Sequence, residues 1–177
     1  MKYQIDQSGK IENTEKQTAL AASNHNVYAV VISAKTKRQF QEICRRDGLT
    51  RLYVYILFAI GIYMILSKLK TSSSVIIDTE YPGKEKLIKN LIKVFLKGQN
   101  ADITFSRIGN NPKVHYAAHD VYIQKKQADR VISLKEILRI IKKTDGRLRE
   151  CLATLVGAQT RSIKEYYQPK NKKSRPI

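Results

Sequence analysis

The chain has 177 residues, with 33 Lys and Arg against 15 Asp and Glu and a net charge of +18. At 42% hydrophobic it is too apolar for a disordered basic tail protein, and it is long enough to bury the core of one domain. The charge argues against a carrier of small cations and fits a polyanionic partner, either nucleic acid or an anionic membrane surface.

Tyr3-Gln4-Ile5-Asp6 alternates like a short strand and ends in the turn signal Gln7-Ser8-Gly9. Gln17 to Ser23 and Val27 to Ser33 read as two more strands. Asn24-His25-Asn26 joins them, and asparagine tolerates the positive φ of a tight hairpin. The chain is therefore expected to open as a three-stranded antiparallel meander. Lys35 to Asp47 is polar with Phe40, Ile43 and Cys44 on one side, which predicts a helix ended by Gly48.

Leu52 to Ser67 is 16 residues without a charge. As a helix it spans about 24 Å, short of the roughly 30 Å hydrocarbon core of a bilayer. Tyr53, Tyr55, Gly61 and Tyr63 weaken it further as a membrane span. A helix buried on most sides, roughly Leu49 to Lys70, is the expectation; a membrane-anchored protein is the less favoured alternative.

Ser72-Ser73-Ser74 breaks that pattern, and the β-branched run Val75-Ile76-Ile77 reads as a buried strand. Pro82-Gly83 opens a helix from Lys84 to Lys97 with the stripe Leu87, Ile88, Leu91, Ile92 and Phe95, stopped by Gly98. Asp102 to Arg107 is the next strand. Strand, helix and strand at this spacing predict a βαβ unit with parallel strands and a right-handed crossover. A loop at 109–112 leads to a helix from Lys113 to Gln127, and Val131-Ile132 is a short extended piece. Ser133 and Glu136 form a capping-box signature ahead of a helix that buries Leu134, Ile137, Leu138, Ile140 and Ile141. Thr144-Asp145-Gly146 is expected to turn the chain into a last helix from Arg147 to Val156. Residues 1–127 thus read as an α/β domain, 128–160 as a helical extension and 161–177 as a basic flexible tail. Cys44 and Cys151 form no CxxC or zinc pattern, and the first residues lack an apolar leader, so an intracellular, cytoplasmic setting is expected.

With so few carboxylates, their placement carries information. Asp6 ends the first strand and Asp78 ends the Val75 strand. A charge directly after a buried run is expensive unless it is solvated or bound. If the two strands are neighbours, the two carboxylates converge where an open α/β sheet gathers ligands. Glu80, two residues beyond Asp78, projects the same way. Converging carboxylates suit Mg²⁺ or Mn²⁺, hard cations that prefer oxygen. Paired ions of this kind support phosphodiester cleavage, and a basic surface supplies the phosphate contacts. Lys84, Lys86, Lys125, Lys126, Lys170, Lys172, Lys173 and Arg175 are the candidate nucleic-acid contacts. Tyr166-Tyr167, beside the tail, is the one tyrosine pair in a setting suited to base stacking. No GxxxxGK[ST] loop occurs, which argues against an ATPase.

The element order β-β-β-α-β-α-β, with Ile5-Asp6-Gln7-Ser8-Gly9 and Val75-Ile76-Ile77-Asp78-Thr79-Glu80-Tyr81, resembles the ribonuclease H-like superfamily over about residues 1–127. That resemblance implies a mixed sheet, three antiparallel strands and then parallel ones, with flanking helices. It implies a divalent-metal-dependent nuclease or resolvase-like protein acting on DNA or RNA, with Asp6 and Asp78 as metal ligands. It also implies a further acid on a later helix, for which Asp120, beside His119, is the first choice and Asp129 the second. The family usually places a glutamate on the helix after the third strand. Glu42 fits if that helix is Lys35–Asp47; if Leu52–Ser67 is the equivalent, Glu80 substitutes or the site is degenerate. His115 and His119, four apart on a helix, are expected at the surface or in supporting roles, with His119 able to shuttle a proton. The alternative on the same fold is a non-catalytic nucleic-acid-binding protein.

Overall fold

Alanines on one face of a strand and larger apolar residues on the other decide how this chain layers. The computed structural model describes residues 2–24, 26–69, 74–97, 101–109 and 112–156. Its elements are β1 (Lys2–Ser8), β2 (Thr18–Ser23), β3 (Val27–Ile32), α1 (Ala34–Arg46), α2 (Tyr53–Leu69), β4 (Ser74–Ile77), α3 (Glu85–Leu96), β5 (Ile103–Phe105), α4 (Pro112–Tyr122), β6 (Arg130–Val131) and α5 (Leu134–Val156). They form an α/β structure around one six-stranded mixed sheet, ordered β5-β4-β1-β2-β3-β6.

The antiparallel meander is present: β1 pairs with β2 and β2 with β3. β4 runs parallel to β1, and β5 parallel to β4, so the β4–α3–β5 unit has the expected parallel strands. β6 adds to the far edge, parallel to β3.

Because successive strand residues face opposite ways, β2 splits its side chains between two cores. Leu20 and Ala22 join the larger one, with Ile5, Val30 and Ile32 and with residues of α1, α2, α3 and α5. Ala19 and Ala21 face the other way and join Ala29 and Val31 beneath Ala117, Ala118 and Val121 of α4. These small side chains let α4 sit close to the sheet. Four helices thus cover one face and α4 the other.

The uncharged stretch is α2, and it is buried nearly all round, as a helix without a polar face must be. Gly61 lies against the sheet: a Cβ there would stand 2.9 Å from Leu20 Cδ1. Among the described residues, no helix is long and apolar enough to cross a membrane.

Two expectations need correction. Thr144-Asp145-Gly146 does not turn the chain; α5 continues unbroken from Leu134 to Val156. The Thr144 hydroxyl donates back to the Ile140 and Ile141 carbonyls, and Asp145 pairs with Arg149 one turn on at 3.3 Å. Local polar bonding of this kind is compatible with a helix as well as with a turn. Residues 128–156 also do not stand apart from the preceding domain. β6 belongs to the sheet, and Ile137, Ile141, Leu148 and Leu152 lie in the larger core. The capping box ahead of α5 is present: Glu136 accepts from Ser133 N–H at 3.0 Å, and Ser133 Oγ accepts from Glu136 N–H at 3.3 Å.

Candidate metal centre

Ile5 points into the larger core, so its neighbour Asp6 points to the α4 face of β1. The parallel register sets Ile5 beside Ile77, and the Asp78 N–H donates to the Ile5 carbonyl at 2.9 Å. Asp78 therefore emerges next to Asp6 as the chain leaves β4. The chain then bends, with Glu80 N–H donating to the Asp78 carbonyl at 2.9 Å. One carboxylate oxygen each of Asp6, Asp78 and Glu80 lies within 4.8 Å of the others. The three acids expected to meet do meet.

Two of the three carboxylates are held by backbone donors. Asp6 Oδ1 accepts from Gln7 N–H at 2.7 Å, and Asp78 Oδ1 accepts from Ile108 N–H in the loop after β5 at 2.8 Å. Tyr81, next to Glu80, packs edge-on against Tyr55 and Phe58 of α2, with ring centroids 5.6 and 5.2 Å away. Its hydroxyl donates to Glu12 at 3.1 Å and accepts from Gln7 Nε2 at 3.4 Å. Burial pushes the Asp6 carboxyl above the usual carboxylate range; Gln7 N–H and His115 pull it back, and the Asp78 charge adds to the rise. Burial, then the Asp6 and Asp78 charges, push Glu80 up to about 7. The Lys10 charge opposes that rise at Glu80. Three close carboxylates make an all-oxygen donor set that fits a hard divalent cation such as Mg²⁺ or Mn²⁺.

The helix contribution differs from the expectation. His115, on α4, brings Nδ1 to 3.1 Å from Asp6 Oδ2. His119 stacks parallel to it with ring centroids 6.2 Å apart. Asp120 lies five residues beyond His115, about 140° further round the helix. It forms an ion pair with Lys126 at 2.9 Å, which holds its carboxyl below the usual range, and it is not among the three converging acids. Asp129 is committed to the sheet edge, where its Oδ2 accepts from Ala29 N–H at 2.7 Å. Glu42 is on α1, paired with Arg45 and Arg46 at 2.9 Å each. His115 was legible as one of an i, i+4 pair; what sequence spacing lacked was which histidine faces β1.

Lys37 reads in the sequence as one of the polar residues of its helix, yet its side chain is buried completely. Its Nζ donates to the Lys10 and Asn13 carbonyls and to Thr18 Oγ1, at 3.0, 2.6 and 2.9 Å. It thereby pins the loop between β1 and β2 that carries Lys10 and Glu12. At the outer edge of the same loop, Gly9 has φ +73°, and a Cβ there would run into the Tyr122 ring.

Lys84, Lys86, Lys125 and Lys126 are exposed, with Lys84 Nζ 5.9 Å from the Tyr55 ring centre. Lys170, Lys172, Lys173, Arg175 and the Tyr166-Tyr167 pair lie outside the described residues. In comparisons of the chain with protein-family models, curated proteins and solved structures, nothing matches.

Proposed function

We propose that the chain is a ribonuclease H-like, divalent-metal-dependent nuclease or resolvase-like protein that hydrolyses phosphodiester bonds in DNA or RNA. The observation that carries this reading is the meeting of Asp6, Asp78 and Glu80 at the carboxyl ends of neighbouring parallel strands in a chain of charge +18. The strand order supports the ribonuclease H-like part: an antiparallel meander whose first strand is central and runs parallel to the fourth, with the fifth beyond it.

Asp6, Asp78 and Glu80 would hold Mg²⁺ or Mn²⁺. When bound, such an ion supplies Lewis acidity toward phosphoryl oxygen and lowers the pKa of water. The protein's own residues do the rest. Gln7 and Ile108 N–H groups fix two of the carboxylates before substrate arrives, which is the preorganisation electrostatic catalysis needs. His115 orients its ring against Asp6 and, 61% exposed, can exchange a proton with solvent or with a leaving oxygen. The exposed lysines bind the phosphate backbone without reading sequence.

The test is cleavage of labelled DNA and RNA, single- and double-stranded and branched, with Mg²⁺ or Mn²⁺. Cleavage that Asp6→Asn and Asp78→Asn abolish supports the reading; cleavage that survives both removes this site from it. A second reading, non-catalytic nucleic-acid binding on the same fold, is favoured by the commitment of Asp120 to Lys126, which leaves the helix without a fourth carboxylate in the cluster. Salt-dependent DNA or RNA binding, with no heat of metal binding in calorimetry and no cleavage, selects it.

A further inference from the structure

Helix geometry divides α4 into three strips. Val114, Ala117, Ala118 and Val121 face the sheet and are buried. His115 and His119 lie on the flank toward Asp6. Lys113, Tyr116 and Asp120 lie on the opposite flank. There a groove of about 430 Å³ opens between α4 and the start of β3, with Ser23, Val27 and Ala29 along one side and Lys113, Tyr116 and Lys126 along the other. That volume falls within the range of pockets that take a drug-sized molecule, so a nucleoside fits.

We propose that this groove seats a nucleotide of a single-stranded segment whose neighbouring phosphodiester lies at the Asp6–Asp78–Glu80 cluster, with its base stacked on Tyr116. The inference rests on the nuclease reading and adds to it the path of the strand. Four observations carry it. Tyr116 is 59% exposed and Val27 51%, two of the four large apolar residues left exposed among those described, and both line this groove. Two lysines against one acid line the groove, in a chain of net charge +18. Lys113 and Lys126 are exposed, Lys126 with its Nζ 2.9 Å from Asp120. The acid that lines the groove, Asp129, has one oxygen occupied by Ala29 N–H. Finally, Asp6, Ala21 and Ala29 stand opposite one another across β1, β2 and β3. Two strand spacings separate the groove floor from Asp6, about 10 Å, and the His115 and Tyr116 rings, centroids 5.9 Å apart, bridge the two flanks of the helix. Every base has a π-face, so a lone exposed tyrosine between lysines binds single strands without demanding a sequence.

The test uses the full chain, in EDTA to stop cleavage, with single-stranded oligodeoxynucleotides and oligoribonucleotides carrying 5-iodouracil. The expected result is photocross-linking to Tyr116, mapped by mass spectrometry. Tyr116→Ala is expected to weaken binding roughly five- to one-hundred-fold, while Tyr116→Phe keeps it. The arm that binds more tightly identifies DNA or RNA as the ligand. Cross-links only elsewhere, with Tyr116→Ala binding as wild type, overturn the groove while leaving metal-dependent cleavage to stand by itself. Failure of every single-stranded oligonucleotide to bind overturns the groove, while the nuclease reading is decided separately by cleavage of the double-stranded and branched substrates. If Tyr116→Ala instead halves the sedimenting mass, a second copy of the chain occupies the groove and the proposal is wrong.

Discussion

The Lys37 ammonium donates to the Thr18 hydroxyl at 2.9 Å in a position closed to solvent. Burial lowers its pKa from 10.5 to about 8, against the opposing pull of Glu12. Between about pH 8 and 10.5 the unfolded chain therefore binds more protons at this residue than the folded one, and stability contributed here rises with pH across that window. Lys37→Met removes the slope. It also leaves two carbonyls and a hydroxyl without their donor, an expected loss of roughly 1–3 kcal/mol at pH 7 that grows toward pH 10. Urea unfolding of both proteins at several pH values measures it. A flat difference between pH 7 and 10 contradicts the assignment.

The acid cluster gives the opposite slope. Glu80 is pushed up to about 7 in the fold, from an ordinary 4.5. In metal-free protein the folded state holds the extra proton between those values, so stability at this residue is lost as pH rises through them. Glu80→Gln in EDTA is expected to raise Tm by a few degrees at pH 8 and to leave it unchanged near pH 4. Mg²⁺ or Mn²⁺ is expected to raise the wild-type Tm at pH 8 by mass action, and to do little for Asp78→Asn. Scanning calorimetry reads all four combinations, and an equal metal response in Asp78→Asn would place the ion elsewhere.

His115 and His119 are separable. Of the two, His115 is the one that reaches Asp6, so under the proposed nuclease reading His115→Ala is expected to slow cleavage about a hundredfold, within the usual range for removing a positioned acid or base. His119→Ala spares most of the rate. Unchanged Tm and metal response in both variants distinguish loss of a positioned group from simple loss of packing.

Gly61 tests the packing of α2 on the sheet. Valine there meets Leu20 and is expected to destabilise by about 1–3 kcal/mol through overpacking. Leu20→Ala in the same chain makes room, so the double variant recovers part of that loss relative to the sum of the single ones. Strict additivity in denaturant melts would mean that the two do not touch.

Much of this was legible in the sequence because the signals were local or period-based. A short alternating strand ending in Asp6 and a β-branched run followed by Asp78 located the two acids, and the βαβ spacing made β4 and β5 parallel; the direct pairing of β1 with β4 is supplied by the fold. The stripe of α3 and the uncharged face-free pattern of α2 named buried helices. What stayed hidden depends on rotation and on partners far along the chain. Asp120 and His115 differ by about 140° around α4, and only packing on Ala19, Ala21 and Ala29 fixes which of them turns toward β1. Lys37 looks like a solvated lysine until the β1–β2 loop closes over it. Thr144-Asp145-Gly146 carries turn chemistry, but the apolar residues on both sides, Ile141 and Leu148, need one continuous helix to reach the same core.

Asp6 is made well before its partner Asp78, which follows only after the rest of the meander, α1 and α2 have been produced. Parallel pairing of β1 with β4 closes a long stretch of chain, a step that comes at a high entropic cost and slows folding. The first strand must therefore wait, one edge unpaired, while the most apolar of the described helices, α2, finds its place. A ribosome-bound chain that ends before Ser74 holds the meander yet has no pocket for an ion, so whatever chemistry the cluster performs is withheld from unfinished chains.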